Sequence, residues 1–293
     1  MNPAVDALRR LIESEVEQPV PPKIAALSSR IREGRHGVLA VLFYGAGLWK
    51  SPESDTLFDF YVLVESYQAF DPRRLYALFG WLLPPNVYYL EHGGLRCKYA
   101  LVRFDQFEAS AAGGGLNSQI WARFSQPCRL VYARDRDLKR AVTAALGDAV
   151  VTFHDHSLPL LGPTEAPRPE TIWTRGLEQT YGNEWRSERG ERAHTIYQAS
   201  REALNARSEL VLPFCSPAPR PATIGLRRIL AKSVYFLQLM KAVFTFEGGV
   251  DYALWKIERQ SGVRLHASEF QRRHPLISAW SLVWKAWRLG ILR

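Results

Sequence analysis

The clearest chemical pattern in this sequence is a glycine turn followed, one loop later, by a single acid inside an apolar strand. Residues 41–64 are VLFYGAGLWKSPESDTLFDFYVLV. The apolar run that ends at Tyr44 is typical of a buried strand, and Gly45 and Gly47 interrupt it where the backbone must turn or approach another group closely. Asp59 has only apolar neighbours from 58 to 64, and a carboxylate in such a strand needs a partner or a metal ion. The pattern predicts a site for a metal-bound triphosphate, with a purely structural turn as the alternative.

The elements around this pattern are predicted to be strands mainly in the first half of the chain and helices in the second. Hydrophobic periodicity, prolines and glycines mark their boundaries. We expect helices over 6–16, 70–83, 119–124 and 135–146, two strands within 41–64, a strand over 128–132, and a hairpin over 86–104 that turns at 92–94. The segment 162–170 is typical of a linker, and 172–212 of helices. The predicted units are 1–134, 135–215 and 216–293.

Composition and charge narrow the class of protein. The chain has 293 residues, 47% of them hydrophobic, which is enough for one large or two modest cores. Its net charge of +9 favours an anionic partner, either a nucleotide, a nucleic acid or an acidic membrane; a solubilising surface is the alternative. Cys97, Cys128 and Cys215 are isolated, which indicates a reducing compartment and argues against a disulfide scaffold or structural zinc. With no secretory signal and no apolar run of about 20 residues, we expect a soluble or peripheral protein.

The glycine turn and the acid resemble the signature of polymerase-β-like nucleotidyltransferases, in which a Gly-Ser turn cradles the triphosphate and acids on the next strand hold Mg²⁺. Here Gly45 and Ala46 are followed by twelve residues and then Asp59. The resemblance implies an α+β fold with a mixed sheet, followed by helical middle and C-terminal regions. The sequence departs from the signature twice: Ala46 replaces Ser, and Tyr61 stands where most of the superfamily has its second carboxylate. The number of metal ions therefore stays open.

One branch of that superfamily shares the second departure. The chain resembles the mitochondrial translocator assembly and maintenance family, which are phosphatidate cytidylyltransferases of nucleotidyltransferase type, as a divergent member. The family's motifs, which run in the same order, are similar to 44–47 (YGAG), 58–60 (FDF), 87–89 (VYY), 93–95 (GGL), 98–101 (KYAL), 122–128 (ARFSQPC) and, more weakly, 232–245. The Gly and Lys of the family's sixth motif are absent here.

The family resemblance implies transfer of CMP from CTP to phosphatidic acid, which gives CDP-diacylglycerol and pyrophosphate with Mg²⁺ as cofactor. Asp59 would hold the metal ion, and the turn Tyr44–Gly47 would bind the phosphates of CTP. Lys98 would neutralise phosphate charge, and Arg123 would bind phosphate. The alternatives are an ordinary edge-strand lysine and an arginine on a surface helix.

Several further residues are weaker candidates. Lys232 and Lys241 lie nine residues apart on a predicted helix and would meet the lipid phosphate or the pyrophosphate, or else lie on a solvated face. Glu91 and Asp105 compete for the role of the missing carboxylate, and both are more often solvated loop acids. The sequence His154-Asp155-His156 is interpreted as a loop rather than a metal site.

Residues 275–292 form a predicted amphipathic helix. Trp280, Trp284 and Trp287 fall on one stripe, with cations opposite. This pattern suits the interface of an anionic membrane, and packing on the protein's own core is the alternative.

The function expected from these observations is that of a bacterial, cytoplasmic enzyme, peripheral on the inner face of the membrane. Its partners would be CTP, phosphatidic acid and an anionic membrane surface, with nucleic acid less favoured. Two alternatives stay open. One is a nucleotidyltransferase that acts on RNA, a protein or a small molecule. The other is a non-catalytic descendant that binds nucleotide or membrane.

Overall fold

The computed structural model describes residues 3–49, 57–114, 118–162, 164–181 and 189–215, together with 234, 237, 238, 241, 250, 254 and 266–273. The strands are β1 (Val38–Tyr44), β2 (Leu57–Val64), β3 (Asn86–His92), β4 (Leu95–Arg103) and β5 (Cys128–Ala133). The helices are α1 (Pro3–Val16), α2 (Pro22–Arg32), α3 (Tyr67–Phe70), α4 (Arg74–Leu82), α5 (Phe104–Ala111), α6 (Gln119–Phe124), α7 (Arg136–Ser157), α8 (Pro169–Tyr181), α9 (Arg189–Ala199), α10 (Arg201–Val211) and α11 (Glu269–Arg273). Within these ranges, no helix combines the length and the apolar character that crossing a bilayer requires.

The five strands form one mixed sheet in the order β3-β4-β2-β1-β5. Strands β2 and β4 run parallel, and the other neighbouring pairs are antiparallel. Helices cover both faces of this sheet, which confirms the predicted α+β class and is consistent with the polymerase-β-like fold.

Strand alternation divides the apolar side chains between two cores. Phe43 and Phe60 face the core that α2 covers, whereas Tyr44 and Tyr61 face the larger core formed with α1 and with helices α5 to α10. Every residue of β1 is buried, as expected for a strand covered on both faces. The larger core contains residues of both the 1–134 and the 135–215 segments.

The predicted hairpin is present as β3 and β4. Its strands pair in register from Asn86 with Leu101 to His92 with Leu95. Gly93 and Gly94 form the turn with φ of 58° and 73°, values that glycine adopts at little cost and that match a two-residue hairpin loop.

The helix predicted over 70–83 is instead two helices, α3 and α4. Asp71 is buried between them and accepts hydrogen bonds from the backbone N–H of Arg73 (3.1 Å) and from the Arg73 guanidinium. Burial opposes the charge of this carboxylate, but the bonds from Arg73 outweigh burial and lower its pKa. Pro72 has no N–H to continue a helix, so the chain turns at this point.

Two further helices differ from the sequence-based expectation. Helix α7 continues to Ser157, eleven residues beyond the predicted end, so His154 and His156 lie on a helix and not in a loop. His156 stacks on Trp121 with ring centroids 5.0 Å apart. Helix α2 lies in a segment for which the sequence predicted no helix, and it begins at Pro22, because a proline at a first-turn position loses no helical hydrogen bond.

Buried polar groups join the helices of the larger core. The guanidinium of Arg207 on α10 donates to the carboxylate of Glu15 on α1 and to the carbonyl oxygen of Ser125, and all three residues are buried. Beside them, the Nδ1 of His154 lies 2.8 Å from the carbonyl oxygen of Val150, and its Nε2 lies 2.9 Å from the Ser208 hydroxyl.

The contacts of His154 suit a neutral imidazole. The indole N–H of Trp173 donates to Ser208 Oγ (2.8 Å), so the Ser208 hydroxyl can donate its own proton to Nε2 while Nδ1–H donates to Val150. Burial, helped by the charge of Arg207, lowers the pKa of His154 to about 4 from 6.5.

His154 should therefore make folding stability depend on pH. Between pH about 6.5 and about 4 the unfolded chain binds a proton that the folded chain excludes, so the free energy of unfolding should fall as pH decreases through this window. The full difference is on the order of 3 kcal/mol. Urea unfolding of the wild type and of His154→Gln at several pH values measures it, and the variant should have the shallower slope. Equal slopes would contradict the buried neutral histidine.

Candidate functional site

The glycine turn predicted to bind phosphate lies against the acid. Strand β1 ends at Tyr44, and residues Gly45–Leu48 form a single 3₁₀ turn. Gly45 has φ of 82°, and a Cβ placed on it would lie 3.2 Å from Asp59 Oδ2. Glycine is required here because any side chain would be strained by the backbone and crowded by the carboxylate.

Strand register places Asp59 between the glycine turn and a lysine. Asp59 is opposite Tyr44 in β1 and opposite Lys98 in β4. The Lys98 ammonium is 3.2 Å from Asp59 Oδ1, and the side chains are 36% and 22% exposed. The Oδ1 atom of Asp59 is buried, and apart from the ion pair with Lys98 it accepts no hydrogen bond from the described residues. This oxygen can therefore bind a further ligand.

Arg123 and Tyr44 form the adjoining wall. The guanidinium carbon of Arg123, on α6, is 5.2 Å from the centre of the Tyr44 ring. The Tyr44 ring in turn packs edge-on against Tyr61 and Phe124, with centroids 5.8 Å and 5.5 Å away. This aromatic contact fixes the ring on which the arginine lies.

Tyr61, at the position where the resemblance implies a second carboxylate, is fully buried. It lies on the same face of β2 as Asp59, two residues further along the strand, and packs edge-on against Phe124 with centroids 5.0 Å apart. Burial raises the pKa of its hydroxyl, although the charge of Arg123 acts in the opposite direction. The position for which the resemblance implies a second acid therefore carries a neutral phenol.

These groups line one pocket of about 310 Å³ at the end of the sheet. Among the described residues, the charged groups in its lining are Asp59 and three cations, namely Lys98, Arg123 and Arg192. The other lining residues are Tyr44, Gly45, Ala46, Trp49, Pro85, Val87, Ala100, Gln119, Gln126 and Pro127. An excess of cations around one acid favours an anionic ligand.

The structure brings together most, but not all, of the residues singled out in the sequence. Tyr44, Gly45, Ala46, Asp59, Lys98 and Arg123 all line the pocket. Gly47 lies behind it, because a Cβ there would be 2.9 Å from the Phe43 ring and 3.1 Å from the Phe58 ring. Lys232 and the helix predicted over 275–292 lie outside the described residues.

Lys241 lies beside the chain segment that follows α4. Its ammonium donates to the carbonyl oxygens of Leu83 and Pro85 and to Asn86 Oδ1 (3.0 Å). Burial lowers the pKa of Lys241 to about 7. Lys241 is not among the described residues of the pocket lining. It contacts the lining indirectly, because its ammonium donates to the carbonyl oxygen of Pro85, a residue of that lining.

Arg192 is the functional candidate that the sequence did not reveal. It lies on α9, far along the chain from Asp59, and enters the pocket lining because α8, α9 and α10 pack on the same core as the sheet. No local motif marks it, so only the tertiary structure identifies it. Gln126 and Pro127 also line the pocket, and they belong to the 122–128 segment noted in the sequence.

The described residues offer a carboxylate ligand for one metal ion and none for a second. Asp59 is the only acid in the described lining, and no cluster of three His, Cys, Asp or Glu side chains occurs among the described residues. Glu91 and Asp105 are exposed and paired with Arg96 and Arg103 respectively. Mg²⁺ is commonly bound by one or two carboxylates together with substrate phosphates and water, so Asp59 alone fits one ion carried with a triphosphate.

Comparison with solved structures gives distant likenesses, one of which is described here. The chain is similar to the crystal structure of a nucleotidyltransferase-like protein from Exiguobacterium sibiricum, with 12% sequence identity and a TM-score of 0.27 over 92% of this chain and 91% of that chain. An overlap at this level carries no information on substrate or mechanism. No protein-family model matches the sequence. Comparison with curated proteins gives no match.

The contact between Gly45 and Asp59 can be tested by adding one methyl group. Gly45→Ala should lower the free energy of unfolding by about 1–2 kcal/mol, through the positive φ alone, and should also displace the carboxylate and weaken nucleotide binding. Gly94→Ala is the matched control, because Gly94 also has a positive φ but has nothing within 4 Å of its Cβ position. Urea unfolding and CTP binding by calorimetry measure both effects. Equal CTP binding by the two variants would contradict the role of the close approach.

Proposed function

We propose that the chain is a nucleotidyltransferase that transfers CMP from CTP to phosphatidic acid. A phosphate oxygen of the lipid attacks the α-phosphorus of CTP, the bond from that phosphorus to the bridging oxygen breaks, and pyrophosphate leaves. The observation that carries the proposal is the pocket in which the Gly45 turn, Asp59 and Lys98 meet at the ends of β1, β2 and β4. The sequence motifs shared with the phosphatidate cytidylyltransferase family supply the choice of substrate.

The backbone of the turn is the proposed phosphate cradle. Gly45 and Ala46 line the pocket, and Ala46 has no hydroxyl, so the backbone N–H groups would have to bind the β- and γ-phosphates without side-chain help. Transfer of a phosphoryl group depends mainly on positioning and on neutralisation of charge. The backbone N–H groups of the turn would position the phosphates, and the neighbouring cations would neutralise their charge.

The cations of the pocket would neutralise the phosphate groups of the two substrates. Lys98 neutralises Asp59 before substrate binds and is a point charge that can turn to a phosphate. Arg123 and Arg192 are planar and suit bidentate contact with a phosphate of CTP or of the lipid. Asp59 would hold Mg²⁺, which when bound would lower the negative charge of the triphosphate. Lys232 is still predicted to bind the lipid phosphate or the pyrophosphate. Lys241 instead has a structural role in the proposal, because its ammonium bonds to the 83–86 segment.

The substrate class implies a location and a partner. Phosphatidic acid resides in a bilayer, so the proposal includes an anionic membrane surface as partner and a peripheral position on the inner face of the cytoplasmic membrane. The net charge of +9 supports attraction to such a surface.

A second candidate function is binding of nucleotide without turnover, and two observations favour it. Tyr61 removes one acid from the site, and Lys98 is already paired with the other. A descendant of this kind would bind CTP with Mg²⁺ but release no pyrophosphate. A nucleotidyltransferase with another acceptor would instead release pyrophosphate without phosphatidic acid.

Replacement of Asp59 tests the reaction directly. Asp59→Asn should reduce formation of CDP-diacylglycerol from radiolabelled CTP and phosphatidic acid vesicles by about 1,000-fold, because the uncharged amide oxygen binds a divalent metal ion far more weakly than the carboxylate. Asp105→Asn is the matched control, since Asp105 is exposed and outside the pocket lining. Turnover by Asp59→Asn at the wild-type rate would remove Asp59 from the site, and absence of product with the wild type would reject this acceptor.

Replacement of Arg192 tests the contribution of the helical region. Arg192→Ala should raise KM for CTP by about tenfold with a smaller change in kcat, because a contact to phosphate that is present before the reaction mainly serves binding. Arg201→Ala removes an equal charge from an exposed position on α10 and should leave KM unchanged. Steady-state kinetics compares the two. Equal KM values for both variants would contradict the assignment of Arg192.

A further inference from the structure

Helix α4 exposes a row of large apolar side chains. Leu75, Leu78, Trp81 and Leu82 are 67%, 49%, 57% and 54% exposed. Their spacing of three and four residues places them on one side of the helix, and the opposite side contributes the buried Ala77. Contiguous apolar surface of this kind on a folded protein usually marks an interaction site.

The surroundings of this apolar row are basic and close to the pocket. Arg73 and Arg74 are exposed at the start of α4. At its other end, Leu82 is three residues before Pro85, which lines the pocket with Val87. Leu237 is also exposed (50%), and its neighbour Gln238 donates to the carbonyl oxygen of Pro84, so Leu237 lies near this end of α4.

We infer that this face of α4 is a membrane-contact surface that inserts its leucines and Trp81 into an anionic bilayer beside the mouth of the pocket. The inference deepens the proposed function and rests on it for the identity of the substrate, but it concerns a surface distinct from the predicted helix at 275–292. Indole and leucine side chains occupy the boundary between headgroups and acyl chains, and adjacent arginines bind anionic headgroups. A lipid whose chains remained in the bilayer could then present its phosphate to the pocket.

The bilayer accounts for this surface better than a second protein does. Arg74 beside the row matches an anionic surface, as does the net charge of the chain, whereas the neighbouring Arg73 is already paired with Asp71. The helix has nine residues, about two and a half turns, which offers a short interface to another helix but a sufficient area for shallow insertion.

Vesicle flotation tests the surface independently of catalysis. Leu75→Ser with Leu78→Ser should weaken partitioning onto phosphatidylcholine vesicles that contain phosphatidic acid by about tenfold, whereas Leu75→Met with Leu78→Met should retain it. Arg74→Glu should weaken binding more than Arg10→Glu, which makes the same charge change on the exposed surface of α1. Vesicles with phosphatidylglycerol in place of phosphatidic acid should give the same ranking. Unchanged flotation of the double serine variant would overturn the inference. If light scattering also showed a wild-type dimer that the variant does not form, α4 would be a protein interface instead.

The same variants separate this inference from the proposed function. With a soluble short-chain phosphatidic acid, the double serine variant should turn over at the wild-type rate, because α4 contributes no group to the pocket lining. Should the wild type form no CDP-diacylglycerol while flotation still depends on α4, the proposed function fails and the membrane surface stands. If the wild type forms CDP-diacylglycerol but the α4 variants float like the wild type, the proposed function stands and the membrane surface fails.

Discussion

The register of three neighbouring strands is the constraint on which the site depends. It sets one carboxylate opposite the last residue of β1 and opposite a lysine of β4, at the point where β1 gives way to a glycine turn. A partly buried acid is costly without compensation, and here an ammonium 3.2 Å away provides it. Because side chains alternate along a strand, a slip of one residue in β2 would turn Asp59 into the opposite core and dismantle the site.

The site carries one acid where a two-metal enzyme would carry two, and the aromatic packing explains why the second cannot simply be restored. Tyr61 touches Tyr44, Phe107 and Phe124 within the larger core. A carboxylate at this position would be buried among rings and would lose that packing. The same rings hold Tyr44 under Arg123. With Tyr61 at this position, the described lining has one acid beside a fixed arginine, a charge balance that favours an anionic ligand.

The sequence predicted the parts of the fold and site that depend on local chemistry. The hairpin followed from two glycines between β-rich runs, and the approach of Gly45 to Asp59 followed from a turn between two strands that had to be neighbours. The helix predicted over 70–83 ran through Pro72, where the chain turns between α3 and α4, and the bond from Arg73 that satisfies the buried Asp71 at this turn leaves no signal in the periodicity. Nor could periodicity reveal Arg192, since its place in the pocket comes from the packing of helices separated by more than a hundred residues from the motif. Long-range packing decides such positions, and single-sequence patterns do not carry it.

The helices after residue 135 complete the pocket as well as cover the sheet. Arg192 supplies one of the three cations in the described lining, and the buried Arg207 ties α10 to the backbone at Ser125, directly before the lining residues Gln126 and Pro127. A buried arginine paired with Glu15 is weak support for stability, because desolvation of both charges offsets their attraction. Its geometric effect is definite, however: one guanidinium holds α1, α10 and the segment after α6 in a single arrangement. The charge balance of the pocket therefore depends on how the helical region packs on the sheet, and the sheet alone would present Asp59 and Lys98 without the arginine from α9.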